Sequence, residues 1–168
     1  LNSKTKKPYA DNSIAADHYH HWKEDVQLMA ECGFTSYRFS LAWPRIIPAS
    51  DGKVNLEGIQ FYNDLIDELL AHNITPIVTL YHYDMPVWVD ELGGWRDRRV
   101  IDLFDHYVRV CFEAFGDRVK YWLSINEQNM QIVYGKWLGL DKGCADWEKD
   151  KWRINHIMNL CHAKAVIA

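Results

Sequence analysis

The sequence predicts an α/β fold, a parallel sheet covered by helices, and three observations predict it. Helical and strand-like periodicities alternate along the chain in the order helix, strand, helix, strand, helix, strand, helix, and such regular alternation builds a parallel sheet. No glycine-rich phosphate loop follows any strand, which weakens a dinucleotide-binding, doubly wound arrangement. The unusual polar residues gather where the strands end, in residues 40–43, at His82-Tyr83-Asp84 and at Asn126-Glu127. A (β/α)8, or TIM, barrel carries its catalytic groups at the C-terminal ends of its strands, so the barrel is favoured over the doubly wound sheet. Three strands cannot close a barrel, which needs about 250 residues. The chain therefore reads as part of one, a single partial domain over residues 1–168 with no internal boundary.

The elements follow in order. The first helix is expected over residues 20–31, where Trp22, Val26 and Met29 recur at helical spacing and Gly33 follows as a C-terminal cap. "TSYRFSLAW" then alternates with period two: Tyr37, Phe39 and Leu41 share one face, and Ser36, Arg38 and Ser40 the other. A loop with Pro44, Pro48 and Gly52 leads to a helix over "EGIQFYNDLIDELLAH", capped by Asn55, with Ile59, Tyr62, Ile66 and Leu69 on one side. "ITPIVTLYHYD" reads as the second strand on its β-branched and aromatic content. After the turn-prone "ELGGW", the stretch "RVIDLFDHYVRVCFEAF" is helical up to Gly116, and "RVKYWLSINE" is the third strand. A last helix is expected from residue 148 to the end.

Composition narrows the function classes. At 168 residues and 48% hydrophobic, the chain can bury a sizeable core. Eight Trp and nine Tyr fit either that core or the flat stacking surfaces of a sugar-binding cleft. A net charge of −4 without a long run of one sign speaks against a nucleic-acid surface, which needs a basic patch. No apolar run approaches the roughly 20 residues of a membrane span, and "LNSKTKKPYADNS" lacks the apolar stretch of a signal peptide. Cys32, Cys111, Cys144 and Cys161 form no CxxC, and Cys32, Cys111 and Cys161 fall in helical apolar patterns as small hydrophobes. A reduced, intracellular protein is the simpler reading.

The strand ends carry the candidate chemistry. Arg38 is an always-charged group which, facing a barrel interior, needs a carboxylate partner; on an edge strand it would be a surface residue. His82 can hydrogen-bond a ligand hydroxyl or be structural, and Asp84 reads as a cap or turn residue as readily as a functional one. Glu127 closes an apolar strand, where desolvation favours the neutral form that a general acid needs. The same residue could cap a following helix. Asn126 beside it can donate to a substrate hydroxyl. His18 and His20 have the HxH spacing of some barrel metal hydrolases but open a helix, and no further ligand set at sharp spacing joins them. His156 and His162 lie on unrelated faces of the last helix. No metal and no cofactor is expected.

Five segments, "DHYHHWKEDVQLMAECGFTSYRFSLAWPRIIP", "VNLEGIQFYNDLIDELL", "ITPIVTLYHYDMP", "GGWRDRR" and "FGDRVKYWLSINE", lie in family order and spacing within about residues 16–134. Together they resemble glycoside hydrolase family 1, the β-glucosidase family. The resemblance implies a (β/α)8 barrel and retaining hydrolysis of β-glycosides, with the strands here as the second, third and fourth of eight. It implies Glu127 as acid/base, Asn126 on the sugar 2-hydroxyl, His82 on another sugar hydroxyl, and Arg38 against the nucleophile carboxylate; Tyr83 joins the substrate-binding set. A retaining enzyme needs two carboxyl groups about 5–5.5 Å apart. The family's nucleophile, near the end of strand seven, matches no part of this chain, so the chain alone is expected to be inactive.

Two departures bear on the substrate. Gln128 stands where many members have Pro, and Tyr83 where many have Trp. Both look like the bacterial 6-phospho-β-glucosidase branch, which implies a cytoplasmic, bacterial parent acting on a small-molecule phospho-β-glycoside. Unphosphorylated β-glucosides or β-galactosides are the alternative substrates. Two other readings stand beside these. One is a non-catalytic sugar-binding barrel, against which the presence of Glu127 argues. The other is a metal-dependent hydrolase using His18 and His20.

Overall fold

The computed structural model describes residues 14–139 and 143–168; the polar stretch read above for a signal peptide lies outside the described residues. The elements are α1 (His18–Glu31), β1 (Ser36–Ser40), α2 (Trp43–Ile46), α3 (Leu56–Ala71), β2 (Thr75–Tyr81), α4 (Val87–Glu91), a 3-10 turn (Gly94–Arg96), α5 (Val100–Phe115), β3 (Tyr121–Ile125), α6 (Gln128–Val133), α7 (Gly135–Leu138) and α8 (Trp147–Ile167). The strands form one parallel sheet in the order β1-β2-β3. Ser40 lies opposite Thr79, Thr79 opposite Leu123, and Tyr81 opposite Ile125. The chain is thus a partial α/β fold of three parallel strands with flanking helices.

The period-two pattern decides which face each side chain takes. Phe39, Val78 and Leu80 are buried with Tyr62, Leu65, Ile66 and Leu69 of α3 and Phe104, Tyr107, Val108 and Cys111 of α5. Phe39 stacks on Tyr62 with ring centroids 6.4 Å apart, and Trp122 meets Phe112 of α5 edge-on at 4.8 Å. Ile154, Ile157, Met158 and Cys161 bury one face of α8, which packs on α5. On the opposite face Arg38 and Tyr121 are exposed, while Thr79 and Tyr81 of the central strand are buried.

Helix ends are closed by their own sequence. At Gly33 (φ 76°), the amides of Gly33 and Phe34 donate to the carbonyls of Ala30 and Met29 at 2.9 and 3.0 Å. That pair of bonds satisfies the last carbonyls of α1 through a left-handed residue. Asn73 (φ 59°) does the same for α3, with Asn73 and Ile74 donating to Leu70 and Leu69 at 3.0 and 2.8 Å. Asn55 caps α3 by accepting from the Glu57 amide at 3.2 Å, and Asp146 caps α8 by accepting from the Glu148 amide at 3.1 Å.

Three expectations change. The strands are shorter than their patterns, so His82, Tyr83 and Asp84 lie in the turn beyond β2 rather than on it. Trp43 is no strand tip: Pro44, early in α2, suits a helical start. The Trp43 ring is buried, 5.1 Å from that of Tyr107. Cys32 is exposed, unlike the buried Cys111 and Cys161, because it is the C-cap of α1, where the helix has already ended. Among the described residues no helix is long and apolar enough to cross a membrane.

Candidate active site

The candidate site is assembled where the three strands end. Arg38 leaves β1 on the open face. Its Nε donates to Oγ1 of Thr79 on β2 at 3.0 Å, and its Nη2 donates to Oδ1 of Asn126 after β3 at 2.5 Å. The Asn126 amide donates in turn to the Tyr81 carbonyl at 2.9 Å, which carries the β2–β3 ladder one residue further. Thr79 and Asn126 are buried. Arg38 therefore spans the sheet from edge to edge, and its partners are a hydroxyl and an amide. Arg38 is exposed; the carboxylate expected beside it is the nucleophile, which matches no part of this chain.

Glu127 follows Asn126 in the left-handed region (φ 42°, ψ 53°) and precedes α6 without a side-chain capping bond. The capping role is therefore not the one its carboxylate takes. Instead Oε2 accepts from the Tyr83 hydroxyl at 3.2 Å. Glu127 is exposed in this chain, at the end of β3, an edge strand of the three-stranded sheet.

Tyr83 is itself left-handed (φ 73°), and its ring meets the His82 imidazole edge-on at 5.3 Å. Partial burial and the Glu127 carboxylate hold its phenol above the ordinary tyrosine range, opposed by a hydrogen bond from the Asn126 side chain. The phenol thus keeps its proton at neutral pH. Asp84, next in the turn, has its carboxyl raised by partial desolvation, with His82 and Arg45 pulling the other way.

Gln128 anchors the segment from the other side. Its Nε2 donates to Asn155 Oδ1 at 2.9 Å and to Asn159 Oδ1 at 3.0 Å, both on α8. His82 is exposed and, with Arg38, Ser40, Thr79, His18, Tyr37 and Phe39, lines a cavity of about 440 Å³. That cavity takes residues from both faces of β1, so it wraps the strand's outer edge. A hollow of about 570 Å³ between α5 and α8 is larger but is lined by Arg98, Arg99, Leu160 and Lys164, among others, and holds none of the strand-end groups.

Of the residues singled out in the sequence, Arg38 and Asn126 form one hydrogen-bonded pair and Tyr83 and Glu127 another beside it, with His82 on Tyr83. The histidines near the N-terminus do not join them. His18 pairs with Asp25 at 2.5 Å, and His20 with Asp17 at 2.6 Å. His162 meets Ser124 at 2.7 Å on the helix side of the sheet. Among the described residues no group of three or more His, Cys, Asp or Glu is placed to hold a metal ion. Thr79, Asn155 and Asn159 were not foreseen. The signal for Thr79 was one hydroxyl inside the apolar run "IVTLY"; for the asparagines it was two amides one helical turn apart.

Comparison with known proteins adds the following. The model of glycosyl hydrolase family 1 matches residues 1–168. The aryl-phospho-β-D-glucosidase BglC of Bacillus subtilis (strain 168) is 46% identical over 157 residues, 93% of this chain and 33% of that protein. A 1,4-β-D-glucan glucohydrolase of Thermotoga neapolitana is 46% identical over 156 residues, 91% of this chain and 36% of that protein. A β-glucosidase from Thermotoga maritima, solved in complex with castanospermine, superposes with a TM-score of 0.86 at 41% identity, covering 98% of this chain and 38% of that one. The chain thus spans about a third of the length of the curated relatives it matches.

Proposed function

Because the chain belongs to glycosyl hydrolase family 1, we propose that the protein carrying it is a retaining β-glucosidase, with Glu127 as acid/base and 6-phospho-β-glucosides as favoured substrates. The observation that carries the assignment is a pair of hydrogen bonds at adjacent strand ends, Arg38 to Asn126 and Tyr83 to Glu127, the residue that follows Asn126. In the first step the Glu127 carboxyl gives its proton to the glycosidic oxygen while a nucleophile carboxylate attacks the anomeric carbon. The C–O bond breaks, and its electron pair leaves with the aglycone oxygen. In the second step the Glu127 carboxylate takes a proton from the water that displaces the nucleophile. The nucleophile is supplied from outside this chain, about 5–5.5 Å from Glu127. Arg38 stands against it, while Asn126, His82 and Tyr83 face the sugar.

The preference for a phosphorylated sugar is supported by Gln128 and Tyr83 and by the Bacillus subtilis relative. The Thermotoga neapolitana relative, equally identical, supports plain β-glucosides as the alternative. A bacterial, cytoplasmic enzyme goes with the first substrate. The test is to assay the full-length protein on p-nitrophenyl β-D-glucoside and its 6-phosphate while following the product anomer by NMR. The expected result is β-anomer formed first, and kcat/KM higher on the 6-phosphate by about a hundredfold. α-Anomer formed first would overturn retention; preference for the plain glucoside would overturn the substrate assignment.

A further inference from the structure

We infer that Tyr83 is a positioning residue for the acid/base: its phenol holds Glu127 by Oε2 and thereby commits Oε1 to the leaving-group oxygen. This inference rests on the acid/base reading of Glu127 given above. Tyr81 and Ile125 are register partners on adjacent strands, and Tyr83 and Glu127 each stand two residues further on. Both leave their strands in the left-handed region, at φ 73° and 42°, which non-glycine residues keep only where their surroundings hold them. The two turns bring the hydroxyl and Oε2 to 3.2 Å.

The direction of that bond is fixed by the groups behind it. A guanidinium has donors and no acceptor, so Arg38 must take Oδ1 of Asn126 as its acceptor, at 2.5 Å. The amide nitrogen of Asn126 is then the end left to donate to the Tyr83 oxygen, in the direction that opposes the raising of the phenol. With its oxygen accepting from an amide, Tyr83 has its own proton left for Glu127. The chain of donors runs from Arg38 through Asn126 and Tyr83 to the carboxylate, each bond polarising the next. The raised pKa of the phenol keeps the final proton in place at neutral pH. Phenylalanine at this position removes the last donor and leaves both carboxylate oxygens free to rotate.

The test uses the full-length protein and aryl β-glucosides, or their 6-phosphates if those prove to be its substrates. Phenyl glycosides need a proton on the leaving oxygen; 2,4-dinitrophenyl glycosides do not. Tyr83→Phe is expected to lower kcat/KM on the phenyl substrate by on the order of tenfold, with a clearly smaller loss on the dinitrophenyl one. Thermal unfolding of the variant beside the parent checks that the fold is kept. An equal loss on both substrates would leave Tyr83 only the sugar-facing role given above and overturn the inference, as would no loss on either. Glu127→Gln in the same assay separates the two levels. If it keeps phenyl glycoside turnover, the acid/base assignment itself fails. If it loses that turnover while Tyr83→Phe shows no split, only the role of Tyr83 fails.

Discussion

Arg38 is charged at every accessible pH and can only donate, so its neighbours must present oxygens. In the sequence its need read as a call for a carboxylate. In the structure a threonine hydroxyl and an asparagine oxygen meet it. Thr79→Val keeps the shape and removes the hydroxyl. In urea titration of the chain it is expected to lose about 1 kcal/mol of stability, and in the full-length enzyme to lower kcat/KM with the fold intact; an unchanged rate would place Arg38 outside the machinery. Asn126 and Glu127 were legible because an apolar strand breaks into consecutive polar residues there. Thr79 was not, since a threonine is an ordinary strand residue. Asn155 and Asn159 were equally silent, because two amides at helical spacing usually mark a solvated face.

At the scale of elements, the long helices and the first strand followed from periodicity, the second strand from its β-branched and aromatic content, and helix ends from caps such as Gly33 and Asn55. The short helices α2, α4, α6 and α7 did not, because fewer than two turns show no repeat to read. Close approach was also invisible. A Cβ on Gly58, in the first turn of α3, would lie 2.3 Å from the Arg45 carbonyl oxygen. Gly58→Ala is expected to lower stability by about 1–3 kcal/mol in urea titration; an unchanged midpoint would show that α2 yields. The cysteines divide by position on their helices. Burial pushes the Cys161 thiol up to about 12 and raises that of Cys111 too. At pH 8 Ellman's reagent should label Cys32 at once, and Cys111 and Cys161 only on unfolding. Ahead of α5, hydrogen bonds from the Arg99 side chain and amide hold the Asp97 carboxyl down at about 2. A lowered carboxyl stabilises the fold above its unfolded pKa of about 3.9, and that stabilisation is lost as pH falls through about 2. Carboxyl NMR titration should show the low value, and Arg99→Met should return it toward the ordinary one.

At the scale of the whole molecule, the alternation of helix and strand foretold a parallel sheet, and the strand ends are where the proposed chemistry is placed. What the alternation could not give was the exposure of Glu127, which depends on what covers the open face of the sheet. The chain belongs to a family whose curated relatives are about three times its length, and its proposed chemistry needs a second carboxylate. The central claim is that Glu127 moves the proton to and from the glycosidic oxygen. Its most direct test is Glu127→Ala in the full-length enzyme, assayed on a 2,4-dinitrophenyl glycoside with and without sodium azide. The prediction is slow turnover that azide accelerates, with a β-glycosyl azide as product, because the anion attacks the glycosyl-enzyme where Glu127 no longer activates water. Parent-like activity without azide, or no glycosyl azide in its presence, would contradict it.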